Sequence, residues 1–287
     1  MELSILHRGP LTSCNYSCEY CPFAKRHETK KQLERDQLSL QQFADWLREQ
    51  TQHRWRILFT PWGEALVRSW YRDVVTELSH FSHIDSVAVQ TNLSCRLDWL
   101  KRARTDRVNF WATFHPTETD LSRFVSQVSH ARERGAEVSV GAVAVPEFLE
   151  QLEMLRRELP ADLYFWINAQ QPRKRPYTPE ELDRFTAIDP MFPFTVKRQP
   201  SLGKPCRTGE VTFTVDGNGD MRRCHFVDEV IGNIFDRDWE AALQPRSCPR
   251  RFCDCFLGKA QLRANELRRV FGDSLLERQA VSGSLKF

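Results

Sequence analysis

Over its first 170 residues the sequence alternates short apolar runs with amphipathic stretches six times. This rhythm narrows the fold more than any other feature. The apolar runs fall at 3–6, 55–59, 86–90, 108–114, 137–145 and 163–168. They are rich in Val, Ile, Phe and Trp and mostly lack strict alternation, as strands buried on both faces do. Helix ends are legible between them. Ser39 with Gln42 makes a capping-box pattern ahead of a helix over 40–49, and a helix over 120–134 stops at Gly135. Six βα alternations predict an α/β fold with a parallel sheet and helices outside it, either doubly wound or a full or partial barrel.

After residue 170 the pattern changes. QQPRKRPYTPEEL is polar, and a short helix starts at Thr178, with Pro179 in its first turn and Glu181 completing a capping box. MFPFTVKRQPSLGKP reads as a linker. From 206 a small cysteine-rich unit begins, with a hairpin in EVTFTVDGNGDMRRC turning at 216–219 and a last helix over 257–271. The expected division is therefore 1–200 and 201–287. DGNGD fails as a calcium loop, because Met221 stands where Gly is required and Val227 where Glu is required.

A net charge of +3 over 287 residues gives no argument for a nucleic-acid partner. No apolar run approaches the ~18 residues of a membrane span, and MELSILHRGP is not a signal peptide. A cytoplasmic location is the expectation, and in a reducing compartment clustered cysteines bind metal or do chemistry more often than they form bridges. Nine cysteines are distributed unevenly: Cys14, Cys18 and Cys21, then Cys95, then Cys206, Cys224, Cys248, Cys253 and Cys255.

The first three, in CNYSCEYCPF, are spaced CxxxCxxC just after the first strand. A structural zinc site needs four protein ligands and this segment supplies three; His27 follows PFAKR, which offers no tight turn to bring it back. A 4Fe–4S cluster has four iron corners, so three cysteines leave one iron free to hold a small molecule.

In this motif the chain resembles the radical S-adenosylmethionine enzymes, whose signature is CxxxCxxC after the first strand of a partial (β/α)6 barrel. An aromatic residue precedes the third cysteine, here Tyr20. FTPWGEAL resembles the family's glycine-glycine-glutamate motif, with Trp62 in place of the first glycine. The resemblance implies that Gly63 and Glu64 meet the methionine amino group and that Tyr20 lies beside the adenine. It also implies that strand ends carrying Asn92 (in Thr91–Asn92), Thr113 and His115 (in TFHPTE) and Val143 (in GAVAVPE) line the cofactor. The implied cofactors are a 4Fe–4S cluster on Cys14, Cys18 and Cys21 and S-adenosylmethionine, cleaved reductively to a 5′-deoxyadenosyl radical that abstracts hydrogen. Individually these residues have plainer readings: a helix-starting turn for WGE, a hydrogen-bonded histidine, a packed tyrosine.

The second cysteine group resembles the SPASM or twitch auxiliary-cluster domains, with Gly219 four residues ahead of Cys224 in the family manner and GNI at 232–234 following. Four of Cys206, Cys224, Cys248, Cys253 and Cys255 would hold one auxiliary 4Fe–4S cluster, the shorter twitch-like form. Structural zinc is the alternative. Enzymes of this build often modify peptides or proteins, with an electron donor such as flavodoxin or ferredoxin. Oxidation or rearrangement of a small metabolite is the second enzymatic reading, and a zinc-stabilised binding module the non-enzymatic one. Cys95 reads as a small packed hydrophobe. The string RKR at 173–175 is a solvated face or a weak candidate for meeting an acidic substrate.

Overall fold

The structure is a computed structural model and describes residues 1–23, 27–173 and 175–281. Strand β1 (Glu2–Arg8) is followed by α1 (Lys30–Glu49), β2 (Arg54–Phe59), α2 (Ser69–Ser79), β3 (Ile84–Thr91), β4 (Val108–Thr113), α3 (Leu121–Glu133), β5 (Glu137–Ala144), α4 (Leu149–Glu158) and β6 (Phe165–Ala169). All six expected strands are present, and β1 to β6 lie side by side in chain order with parallel pairing throughout. β1 and β6 do not pair with each other, so the six strands form an open α/β sheet.

Several helix expectations need correction. α1 begins ten residues before Leu40, because Thr29 with Gln32 forms the real capping box. Ser39 lies inside this helix and returns its hydroxyl to the Asp36 carbonyl. The connection from β3 to β4 holds no α-helix, only the 3₁₀ turns Asp98–Arg102 and Thr105–Arg107. α3 does follow its signals, with Asp120 capping Arg123 N–H and Gly135 at φ +85°. α5 (Pro179–Ile188) likewise has the Thr178–Glu181 box. The expected linker is partly ordered as α6 (Phe192–Val196), because Met191 and Phe192 are apolar enough to bury.

The rest of the chain comprises β7 (Gln199–Pro200), β8 (Pro205–Cys206), β9 (Thr212–Asp216), β10 (Asp220–Arg222), β11 (Val230–Asn233), β12 (Arg246–Ser247), β13 (Phe252–Cys253), α7 (Phe256–Gln261) and α8 (Arg268–Phe271). The expected single helix over 257–271 is thus broken, with Glu266 left-handed at φ +48° between its two halves. The β9–β10 hairpin turns where expected, the Asp216 carboxylate accepting from Asn218 and Asp220 N–H and Gly219 taking φ +83°. β9 also pairs in parallel with β1, from Ser4 opposite Thr212 to Arg8 opposite Asp216. The sheet consequently runs nine strands, in the order β11-β10-β9-β1-β2-β3-β4-β5-β6. The pairs β8–β12 and β7–β13 hold Cys206 and Cys253 on short ladders.

Apolar side chains pack on both faces of the sheet. One large cluster joins the strands to the helices. A second joins Leu6, Leu58, Ala88, Trp111 and Trp166 to Phe256, Phe271, Leu275 and Leu276, so the last described segment packs against the sheet. Gly141 makes room there, since a Cβ would lie 2.0 Å from the Trp166 ring. Arg278, fully buried, bonds Asn168 Oδ1 at 2.9 Å and lies 3.6 Å from the Phe256 ring centroid, a cation–π contact. Among the described residues no helix is long and apolar enough to cross a membrane.

Candidate cofactor site

In open parallel sheets ligands sit beyond the carboxyl ends of the strands. A cavity of about 190 Å³ lies there. It is lined by Cys14, Cys18 and Cys21 together with Tyr20, Trp62, Gly63, Glu64, Asn92, Thr113, His115 and Val143. These residues come from β1's following loop and from the ends of β2, β3, β4 and β5. The structure therefore gathers every residue expected at the first site into one cavity wall.

The cysteine-bearing loop is fixed by contacts at both its flanks. The Asp36 carboxylate, buried on α1, accepts from Leu11 N–H at 3.1 Å, and also from the Trp70 indole and Tyr71 hydroxyl. Glu28 accepts from Thr12 and Ser13 N–H, both at 3.0 Å, and from the Ser13 hydroxyl. Gly63 and Glu64 N–H donate to the Leu11 and Ser13 carbonyls. Gly63 crosses so close that a Cβ would stand 2.0 Å from the Ser13 oxygen. The glycine is thus required by loop packing, whatever it also offers a ligand. Glu118 accepts from Ser17 N–H at 3.0 Å.

Glu64 is 4% exposed, and its carboxylate accepts from Leu66 N–H, Thr91 Oγ1 and Asn92 N–H. Burial pushes its pKa up. Its lone pairs are mostly spent on joining β2's end to β3's end, so an ammonium would meet a carboxylate already held in place. Asn92 donates to Asn15 Oδ1 at 3.0 Å beside Cys14. His115 Nδ1 lies 3.0 Å from the Tyr20 hydroxyl and 3.3 Å from Cys18 Sγ. Burial lowers the His115 pKa to about 4, so the ring is neutral at physiological pH. Burial also raises Cys14 to about 11. A metal would reverse that preference, since a coordinating thiol is deprotonated outright.

Trp62, the departure from the family pattern, has a structural partner. The Arg8 guanidinium lies 4.1 Å from its ring centroid, and Phe23 packs against it at 4.8 Å. Arg8, at the end of β1, donates through Nε to the Thr60 carbonyl at 2.9 Å and lines the same cavity. Burial lowers its pKa to about 10.

All five later cysteines lie in one neighbourhood: Cys253 is pushed up by burial and then by the charges of Cys255, Cys224, Cys248 and Cys206. Cys255 caps α7, its sulfur accepting from Gly258 N–H at 3.2 Å. Cys206 is buried beside the Thr208 hydroxyl. Among the described residues no three His, Cys, Asp or Glu side chains converge tightly enough for a single metal ion. An all-thiol donor set suits an iron–sulfur cluster, which is wider than one ion and takes cysteine thiolates.

Elsewhere, His27 is exposed and lines no cavity with the cysteines. Cys95 is half-buried against the main core. Arg175 of the basic string is held by Glu181, and Arg173 lies over Tyr177; residue 174 is outside the described residues. Sequence reasoning missed Arg8, Glu28 and Asp36. In KKQLERDQLSL nothing distinguishes Asp36 from its exposed charged neighbours.

No family model matches the sequence, and no curated protein matches it. Solved structures do match the fold. Native anSMEcpe with bound AdoMet and Cp18Cys peptide aligns at TM-score 0.58 and 14% identity, over 85% of this chain and 80% of that one. Streptococcus suis SuiB bound to S-adenosylmethionine aligns at 0.57 and 15%, over 83% of this chain and 64% of that one. SuiB bound to precursor peptide SuiA aligns at 0.54 and 13%, over 84% and 64%. The likeness is one of fold alone, to structures that hold S-adenosylmethionine or a peptide.

Proposed function

We propose that the chain is a radical S-adenosylmethionine enzyme that abstracts hydrogen from a peptide or protein substrate. The observation that carries this reading is the shared cavity. Three cysteines in the CxxxCxxC spacing, Tyr20 from the same loop and seven residues from four strand ends line one space, as the motif resemblance implies. Cys14, Cys18 and Cys21 would hold the 4Fe–4S cluster, and Tyr20, Trp62, Gly63, Glu64, Asn92, Thr113, His115 and Val143 would bind the cofactor. Bound there, with an electron from a flavodoxin- or ferredoxin-like donor, the pair supplies a 5′-deoxyadenosyl radical. In this reading Glu64, pinned by Thr91 and Asn92, receives the methionine ammonium without reorganising. Neutral His115 fixes Tyr20 through its Nδ1. Trp62 and Phe23 pack together in the cavity wall.

Four of the five later cysteines would hold an auxiliary cluster, making residues 201–287 a twitch-like unit after a core of 1–200. That cluster would accept the electron left on the substrate or help to bind it. A peptide substrate is supported by two fold relatives, which hold the Cp18Cys peptide and precursor peptide SuiA.

Anaerobic reconstitution tests the reading, with iron and sulfide analysis and an assay for 5′-deoxyadenosine. Brown protein that cleaves S-adenosylmethionine is expected. Cys18→Ala should abolish cleavage and lose the first cluster's iron. Cys206→Ala should lose the second cluster's iron, retain part of the cleavage and stop productive turnover. Colourless, zinc-loaded protein that leaves the cofactor intact would refute the proposal.

A further inference from the structure

The cavity carries one guanidinium that the fold leaves partly unused. Arg8 is tied at one edge, through Nε and Nη2 to the Thr60 carbonyl and hydroxyl, and covered on one face by Trp62. Among the described residues its Nη1 has no hydrogen-bond partner and no carboxylate lies within ion-pair distance. Asp216, its cross-strand neighbour, is paired with Arg222. Glu64, the carboxylate in the cavity wall, is bonded to Leu66, Thr91 and Asn92. A half-buried guanidinium with no counter-charge and an open edge toward a cavity is placed to receive an anion through charge-assisted hydrogen bonds.

Position narrows the ligand. Arg8 shares a cavity wall with Cys14, Cys18 and Cys21, and the hairpin that leads to Cys224 starts from β9, paired with β1 at Arg8. His225 Nε2 is buried with no partner. Arg8 thus lies between the two cysteine groups, on the side of the cavity away from β4 and β5.

We propose that Arg8, held flat by Trp62, docks a carboxylate of the substrate in the cavity between the two cysteine groups. The inference rests on the radical reading and names a property of the substrate: an acidic side chain or a free carboxyl terminus near the attacked bond. It also gives Trp62 a role. A glycine there would leave the guanidinium face bare and its direction unset. S-adenosylmethionine carries a carboxylate too, so the test must separate the two sources.

Succinate serves as the probe and succinamide as its neutral control, titrated by calorimetry into anaerobically reconstituted protein saturated with S-adenosylmethionine. The expected result is binding of succinate in preference to succinamide. Arg8→Gln should weaken it at least about tenfold, the loss of one charge-assisted contact, and by more than it weakens cofactor affinity measured in parallel. Trp62→Leu should weaken succinate in the same direction by a smaller factor. Thermal transitions establish that each variant folds. If Arg8→Gln does not fold, Arg8→Lys takes its place, with a severalfold loss expected because an ammonium lacks the two-pronged geometry. No preference for succinate in the wild type, or a loss in the Arg8 variant confined to cofactor affinity, overturns the inference. Failure of the wild type to form 5′-deoxyadenosine refutes the radical reading instead, whatever succinate does.

Discussion

Asp36 shows how much can hang on one side chain that its sequence neighbourhood conceals. Buried on α1, it ties the Leu11 N–H of the cysteine loop to Trp70 and Tyr71 of α2. Burial raises its pKa from 3.8 to about 6, against the pull of those three hydrogen bonds. The folded state therefore holds this proton more tightly than the unfolded chain does. The associated stability is fully present below about pH 4 and is lost as the pH rises through about 6. In Asp36→Asn that titration disappears. The variant's stability relative to wild type should accordingly improve between pH 4 and 6, by on the order of 2 kcal/mol, measured by urea unfolding across the range. Gly63 makes the complementary point. Gly63→Ala places a methyl group against the Ser13 backbone, which cannot swing aside as a side-chain tip would. It should cost about 1–3 kcal/mol and lower the iron retained by the first cysteine set, read from the unfolding midpoint and an iron assay.

At the scale of elements, the strands follow their apolar runs closely, because a parallel strand buried on both faces advertises itself in every residue. The helices follow less well. Thr29-x-x-Gln32 and Ser39-x-x-Gln42 are equivalent as strings, and the polar stretch between them gives an apolar-face argument no purchase. The broken α7–α8 region fails for a different reason: its apolar residues face the inside of the sheet, so their spacing answers to the strands beneath them. Lys259 anchors this region, its Nζ donating to the Phe194, Thr195 and Lys197 carbonyls at the end of α6. Lys259→Met would leave three carbonyls without a donor. A loss of about 3 kcal/mol is expected, seen as a lower urea midpoint at unchanged m-value.

For the whole molecule, the open sheet poses a problem that the chain's end solves. Six strands that do not close leave an apolar face on which Phe271, Leu275 and Leu276 pack. Removing residues 267–287 should bare Leu58, Trp111 and Trp166. The truncated chain should lose its cooperative thermal transition and its near-UV circular dichroism, and should aggregate in size-exclusion chromatography. The extension of the sheet through β9 has a consequence for the site as well. Pairing with β1 brings the hairpin, and Cys224 just past it, beside the strand that carries Arg8.

The sequence by itself determined the six strands and their parallel pairing, and it singled out the residues that the fold gathers around one cavity, because short motifs at strand ends are local signals tied to a recurring chemistry. It also placed the hairpin turn, through Asp216 and Gly219. Only the tertiary structure decided that Arg8 lines the cavity with an edge to spare, that Asp36 and Glu28 hold the cysteine loop, and that the last described segment packs against the sheet. Those are contacts between residues far apart in the chain. Burial, counter-charge and close approach belong to pairs that only the fold brings together, and no local pattern records them.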